Sequence, residues 1–356
     1  MQILSEIRRP APPGPGPLRI GFVYDLRDEY RSLGFSDEAT AEFDSPETID
    51  GIARALAANG ARIERVGRGM ALAERLVAGE RFDLVFSIAE GLGGRSREAQ
   101  VPALCEMFDQ AYAFSDPLTM AATLDKSVAK RLVRDAGIAT APFAVLADAA
   151  DVTGWLAVAS ADGPGGDPFP VFVKPLAEGT GKGCSAASRV TDAQALLAAV
   201  EQTVSRYRQP ALVERFLAGR EFTVGIIGHG DNARVIGVLE LTVRDASGST
   251  VYGFQSKQSL GSHFSCRLAT DPEARLAGER ALAAYRVLGC RDIARLDMLS
   301  DAQGSPLFLE ANPIPGLKAG FSDLAVLAEL AGWPYQQLIG EILAAACARL
   351  HLKAGQ

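Results

Sequence analysis

Two acids on a predicted hairpin are the first residues whose spacing points to chemistry. In RLDMLSDAQGSPLFLEANP (295–313), two apolar strands flank a DAQG turn, the pattern of a β-hairpin. Asp297 and Glu310 centre on that turn and so face each other across the ladder. Asn312, two residues beyond Glu310, shares their face. Facing carboxylates repel unless a cation neutralises them, and an all-oxygen set suits Mg²⁺ or Mn²⁺ holding phosphates. A solvent-facing acidic pair on an edge hairpin would leave the same trace. A second motif, PVFVKPLAEGTGKGCS (170–185), ends an apolar strand on Lys174 and then places Gly179, Gly181 and Gly183 at alternate positions. Alternating glycines let successive N–H groups point one way and form an anion-binding concavity. The plainer alternative is a lysine at a strand end beside a flexible loop. A Walker A loop is excluded, because Lys182 is followed by Gly183 rather than by Ser or Thr. In a third motif, ALVERFLAGREFTVGIIG (211–228), Glu214 and Glu221 flank an FLAG turn. There the backbone could meet a nucleotide base and an acid its ribose, or two glutamates could simply be solvated.

These motifs need strands and helices to hold them. LRIGFVY (18–24) and FDLVFSIAE (82–90) read as apolar strands. Between them SPETIDGIARALAANG (45–60) reads as a helix, with Ser45 as N-cap, Pro46 in the first turn and Gly60 at the end. Its Ile49, Ile52, Ala53 and Leu56 form one buried face. Strand–helix–strand order predicts a parallel sheet in the first ~115 residues. A helix over about 119–136 leads to PFAVL and then to an Asp/Gly/Pro-rich insert (160–170). The strand VFVKP, the glycine loop and a helix starting near Asp192 follow. ALVERF, EFTVGIIG, RVIGVLEL, DMLSD and PLFLEAN read as strands, and a helix over about 335–350 closes the chain. RRPAPPGPGP (8–17) is too proline-rich to pack and is set outside the fold.

Composition narrows the function classes. The formal net charge of −7 lacks the basic footprint of a nucleic-acid binder. The 5 cysteines are too sparse for a disulfide scaffold, and no C-x-x-C pair marks a zinc site. The 3 histidines, His229, His263 and His351, are scattered, which disfavours histidine-based metal or triad chemistry. No apolar run reaches the ~18 residues that span a bilayer, so a cytoplasmic location without membrane partners is expected.

The ordered set TLDK with Lys126, VFVKP, EGTGKG, LVERFLAGREF, R-x-D at Arg295 and LEANPIPG resembles the ATP-grasp superfamily, most closely its D-alanine–D-alanine ligase branch, from about 82 to 345. The resemblance implies a mixed α/β, three-domain ATP-grasp fold. An N-terminal parallel-sheet domain (18–117) follows the tail (1–17), then come central (118–212) and C-terminal (213–356) ATP-grasp subdomains. It implies that Lys126 and Lys174 contact the phosphates of ATP, and that the loop Glu178, Gly179, Thr180, Gly181 and Gly183 closes over them. Glu214, the backbone of Arg215, Phe216 and Leu217, and Glu221 would hold adenine and ribose. Asp297, Glu310 and Asn312 would bind two Mg²⁺ ions. Tyr252 and Lys257, in YGFQSK, match a loop whose lysine reaches the γ-phosphate. Arg295 and the Gly316 N–H would stabilise an oxyanion, and Ser322 would meet the carboxylate of the second substrate. The implied partners are a small carboxylate and an amine, in a homodimer. A substrate carboxylate would attack the γ-phosphate, and the amine would attack the resulting acylphosphate, with no protein nucleophile.

The pattern breaks in the N-terminal domain. The family's G-G-x-S-x-E turn is replaced by the acidic YDLRDEYRSLGFSDEATAEFDSPET (24–48), and its H-G-x-x-G-E-D-G segment reads EGLGGRSR. Glu90 stands at the histidine position and Arg95 at an acid, while Gln100 and Glu106 still match. A rewritten charge at a substrate pocket predicts a donor other than D-alanine, with Glu90 and Arg95 as substrate-binding residues. A strict D-alanine–D-alanine ligase and a catalytically silent nucleotide-binding regulator are the alternatives. A Rossmann oxidoreductase fits poorly, because GLGGRS lacks the third glycine of its fingerprint.

Overall fold

The computed structural model describes residues 16–162, 167–243 and 264–352. Its three sheets are mixed with helices throughout. The first is three-stranded and parallel, in the order β2-β1-β3, from β1 (Arg19–Val23), β2 (Arg62–Gly67) and β3 (Leu84–Ser87). The helix that follows β1 toward β2, Pro46–Ala58 (α2, after the short α1, Arg27–Ser32), forms for local reasons. The Ser45 side chain accepts from Thr48 N, Pro46 pre-sets the first turn, and Ile49, Ile52 and Leu56 are buried on one face. β1 is buried on both faces. Ile20 and Phe22 pack toward α2, while Gly21 gives room to the Phe82 ring.

The second sheet is four-stranded and antiparallel, β4-β7-β5-β6. It comprises β4 (Phe143–Leu146), β5 (Val171–Pro175), β6 (Arg189–Val190) and β7 (Ala211–Arg215). Val171 and Val173 of β5 and Ala211 and Val213 of β7 enter a core with Leu196 and Val200. The alternation therefore turns Phe172, Lys174, Leu212 and Glu214 to the other face. The third sheet runs β10-β9-β8-β11-β12, from β8 (Glu221–Ile227), β9 (Arg234–Val243), β10 (Phe264–Leu268), β11 (Ile293–Ser300) and β12 (Pro306–Asn312). Phe222, Val224, Leu296, Met298 and Phe308 form its inner core, so Glu221, Thr223, Arg295 and Asp297 point outward, and a bulge after Phe308 turns Glu310 outward with them and Ala311 inward.

The N-terminal strand–helix–strand reading and the strands of the three motifs match the structure. Three expectations change. The single helix over 119–136 is two, Pro117–Leu124 (α5) and Lys126–Asp135 (α6), after α3 (Gly69–Val77) and α4 (Gln100–Met107). The break is Asp125, whose ψ of 97° leaves the helical region and whose carboxylate caps α6 by accepting from Ser127 N and Val128 N. A helix, Ala149–Asp162 (α7), for which the sequence reading has no element, runs into the first residues of the Asp/Gly/Pro-rich insert, ahead of α8 (Ala193–Tyr207). β2 was not anticipated: RIERVG has no buried residue, so no apolar signal marks it. The C-terminal helix Tyr335–Leu350 returns to the N-terminal region and packs on α2 through Leu338, Ile339 and Ile342.

Candidate active site

The outward faces of the second and third sheets enclose a cleft of about 440 Å³. From β5 and β7, Lys174 and Glu214 meet as diagonal neighbours, with Lys174 Nζ 2.7 Å from Glu214 Oε2. Glu214 Oε1 lies 2.5 Å from Nζ of Lys130, which stands one helical turn after Lys126 on α6. Lys130 also donates to Thr140 Oγ1 and the Phe308 carbonyl. Burial opposes the charge on Glu214, but the two lysines overcome it and hold its pKa down to about 2. Burial lowers the pKa of Lys130, and the like charge of Lys174 adds to that. Burial also works against Lys174, yet Glu214 and Glu310 outweigh it and raise its pKa. Two cations and one anion leave this buried cluster net positive, as suits a face that receives an anion. Arg215, Phe216, Leu217 and Glu221 line the same cleft.

On the opposite wall β11 pairs Asp297 with Glu310 and Arg295 with Asn312. Next to the turn Met298 pairs with Phe308, and a bulge then shifts the register by one residue so that Asp297 meets Glu310. Asp297 Oδ1 accepts from Thr223 Oγ1 at 2.8 Å and Oδ2 from Arg295 at 3.0 Å, while Lys126 Nζ lies 3.5 Å from Glu310 Oε2. Among the described residues no three His, Cys, Asp or Glu side chains converge as a metal cage. The oxygen set is instead two carboxylates and one amide. Asn312 Nδ2 is buried without a hydrogen-bond partner among the described residues; this N–H group suits an acceptor such as a phosphate oxygen, and the amide oxygen is the atom that suits a cation. These donors fit Mg²⁺, which keeps open positions for phosphate oxygens and water.

The glycine loop crosses between the walls. Thr180, Gly181 and Gly183 all adopt positive φ, 51°, 73° and 74°. For Thr180 that conformation costs about 1–2 kcal/mol, strain of a kind that gathers at ligand-binding loops. Gly179 and Thr180 face a second cavity beside the cleft, with Arg295, Asn312, Gly316 and Ser322. Ser322 Oγ accepts from Lys318 N at 3.0 Å in the turn that follows Gly316. Arg295 reaches Asp297 at 3.0 Å and Asp323 at 3.4 Å.

The N-terminal region supplies the remaining wall of this cavity through Glu42, Glu90 and Glu98. Glu42 comes from the acidic 24–48 segment. It accepts from Gly179 N (2.6 Å), Lys182 Nζ (2.9 Å) and Arg97 (3.0 Å), tying that segment to the glycine loop. Despite burial, Arg97 and Lys182 hold its pKa below the usual carboxylate value. Burial drives the pKa of Glu90 well up, and that of Glu98 up to about 7.

Most of the sequence-predicted residues thus gather around two adjoining cavities. Arg95 does not join them. It is largely exposed, ion-paired with Asp125, and lines a different groove near Glu38 and Arg206. Gly183 supports the loop by packing on Pro175. Tyr252 and Lys257 lie outside the described residues. Sequence reasoning missed Lys130, Thr223, Glu42 and Glu98. The i, i+4 spacing from Lys126 could have flagged Lys130; the other three depend on long-range packing.

Comparison with known proteins agrees with this geometry. Residues 132–344 match the family model described as D-ala D-ala ligase C-terminus. A D-alanine--D-alanine ligase of Cupriavidus necator is 33% identical over 306 residues, 85% of this chain and 87% of that protein. An uncharacterized protein of Sinorhizobium fredii is 32% identical over 267 residues, 73% of each. Among solved structures, the Bacillus anthracis D-alanine--D-alanine ligase complexed with ATP shares the fold. Its TM-score is 0.69 at 21% identity, over 94% of this chain and 98% of that one. The VanG D-Ala:D-Ser ligase of Enterococcus faecalis shares it as well, with TM-score 0.69 at 19% identity, over 93% and 99%. The chain belongs to the D-alanine–D-alanine ligase family and is an ATP-grasp ligase that forms carbon–nitrogen bonds.

Proposed function

We propose that the enzyme activates a small carboxylic acid with ATP and joins it to an amine, with an acylphosphate as intermediate. The observation that carries this reading is the gathering of Lys126, Lys174, Asp297 and Glu310 on one cleft beside a cavity lined by Arg295. The donor carboxylate oxygen attacks the γ-phosphorus, the bond to the β-phosphate oxygen breaks, and ADP leaves. The neutral amine then attacks the acyl carbon, phosphate departs with the electron pair of the C–O bond, and the amine proton passes to solvent. Lys126 and Lys174 offset phosphate charge, and Arg295 meets the oxyanion of the tetrahedral intermediate. Asp297, Glu310 and Asn312 would hold two Mg²⁺ ions, which when bound neutralise the transferring phosphates.

The donor we favour is other than D-alanine. Glu90 at the family's histidine position, with Glu42 and Glu98 beside it, gives the donor cavity an acidic wall. Strict D-alanine–D-alanine ligation is the second reading, and the naming of the Cupriavidus necator relative favours it. ADP release measured over a matrix of carboxylates and amines, with product mass, separates them. Turnover confined to D-alanine establishes the second reading, and no turnover with any pair removes both.

A further inference from the structure

The charges around the donor cavity do not balance, and the imbalance has a location. Each cation that reaches its wall is already paired. Arg97 spends its guanidinium on Glu42 and the Ala177 carbonyl. Lys182 bridges Glu42 and Glu178. Lys126 holds the Glu178 carbonyl and lies beside Glu310, while Arg295 serves Asp297 and Asp323. Glu90 and Glu98 take no part in any of these contacts. Among the described residues neither carboxylate has a hydrogen-bond donor or ion-pair partner, and both line the cavity. They come from one short segment, Glu90 just after β3 and Glu98 in the turn before α4. Gly91 N donates to Asp25, and Gly91 itself packs on the Arg97 carbonyl, which holds the segment folded on itself.

Two half-buried carboxylates without a cationic partner are costly to keep charged together, and either a shared proton or positive charge on a ligand relieves them. An ordinary amino acid brings one ammonium group, and its carboxylate is consumed in the reaction. That leaves one acid unanswered. We propose that the donor carries a second cation, as a basic amino acid does, and that Glu90 and Glu98 together hold its ammonium or guanidinium groups. The inference rests on the ligase reading above and names the class of its donor.

The test traps the activated donor with hydroxylamine, so that hydroxamate forms only from a carboxylate that has been phosphorylated. Lysine, ornithine and arginine are compared with norleucine and alanine, each as both enantiomers, on the unaltered enzyme. The expected result is kcat/KM at least about 100-fold higher for a basic donor than for norleucine, the discrimination that follows when buried polar groups are otherwise left unpaired. Glu90→Gln and Glu98→Gln, singly and together, should then shrink that preference to about tenfold or less by raising the KM for the basic donor. ATP affinity by calorimetry checks that the variants fold. Norleucine or alanine used as well as lysine overturns the inference, because Glu90 and Glu98 then share a proton and serve a single ammonium. A basic preference that survives both substitutions overturns it too. Basic compounds active solely as acceptors also overturn it. Absence of hydroxamate and of ADP release with every acid would instead remove the ligase reading itself.

Discussion

Replacing Glu214 with glutamine leaves the ammonium groups of Lys130 and Lys174 facing one neutral amide in a site where both lysines are buried. Removing one partner of a buried ion pair costs about 3–5 kcal/mol, because the remaining charge keeps its desolvation penalty. For a chain of this length that lowers Tm by about 4–7 °C. Lys130→Met is the informative control. It gives up the donations to Thr140 and Phe308 but leaves Lys174 and Glu214 as a balanced pair, so it should cost about 1–2 kcal/mol. The ranking is unusual: removing the single acid hurts more than removing a lysine. It also predicts a pH dependence. Without Glu214 the pKa of Lys130, already lowered by burial, falls further, so the folded variant sheds a proton that the unfolded chain retains up to about pH 10.4. Since the unfolded state then binds more protons, stability rises with pH, and the deficit should narrow as the pH is raised from neutral toward about 10.4. Urea and thermal unfolding of both variants across that range make the measurement. A Glu214→Gln loss below about 1 kcal/mol, a less stable Lys130→Met, or a deficit that ignores pH refutes the reasoning.

Glu310→Ala should reduce ADP release by at least about 100-fold and abolish the response of turnover to Mg²⁺ concentration; intact turnover would remove Glu310 from the metal set. Glu42→Gln removes the charged link between the acidic N-terminal segment and the glycine loop. It should raise the KM for ATP several-fold and speed limited proteolysis near residue 180, and unchanged values would make that contact incidental. Gly183→Ala should destabilise by about 2–4 kcal/mol, because the added carbon would lie 2.5 Å from Pro175 Cγ at a φ of +74°. A neutral result in unfolding experiments would mean that the loop shifts freely.

Much of the cleft could be read directly because its parts are local. The short turn brings the strands of Asp297 and Glu310 together and is legible in the sequence, whereas the bulge that shifts the register by one residue and sets the two acids opposite each other is not. The two-residue period of a strand places Lys174 and Glu214 on one face once the valines beside them are assigned to the core. Ser45, Asp116 and Asp192 announce helix starts through side chains that bond the next turn. Asp125 does the same for α6, but the run of helix formers around it hid the break. What stayed illegible involves partners far apart in sequence. Glu42 reaches Gly179 and Lys182, 137 and 140 positions away, and nothing in its own neighbourhood encodes them. Arg95 sits at a family acid position yet turns to Asp125, leaving the acidic wall to Glu90 and Glu98. Periodicity and capping are short-range, so they are written in adjacent residues. The balance of charge in a cavity depends on which distant side chains arrive there, and folding alone decides that.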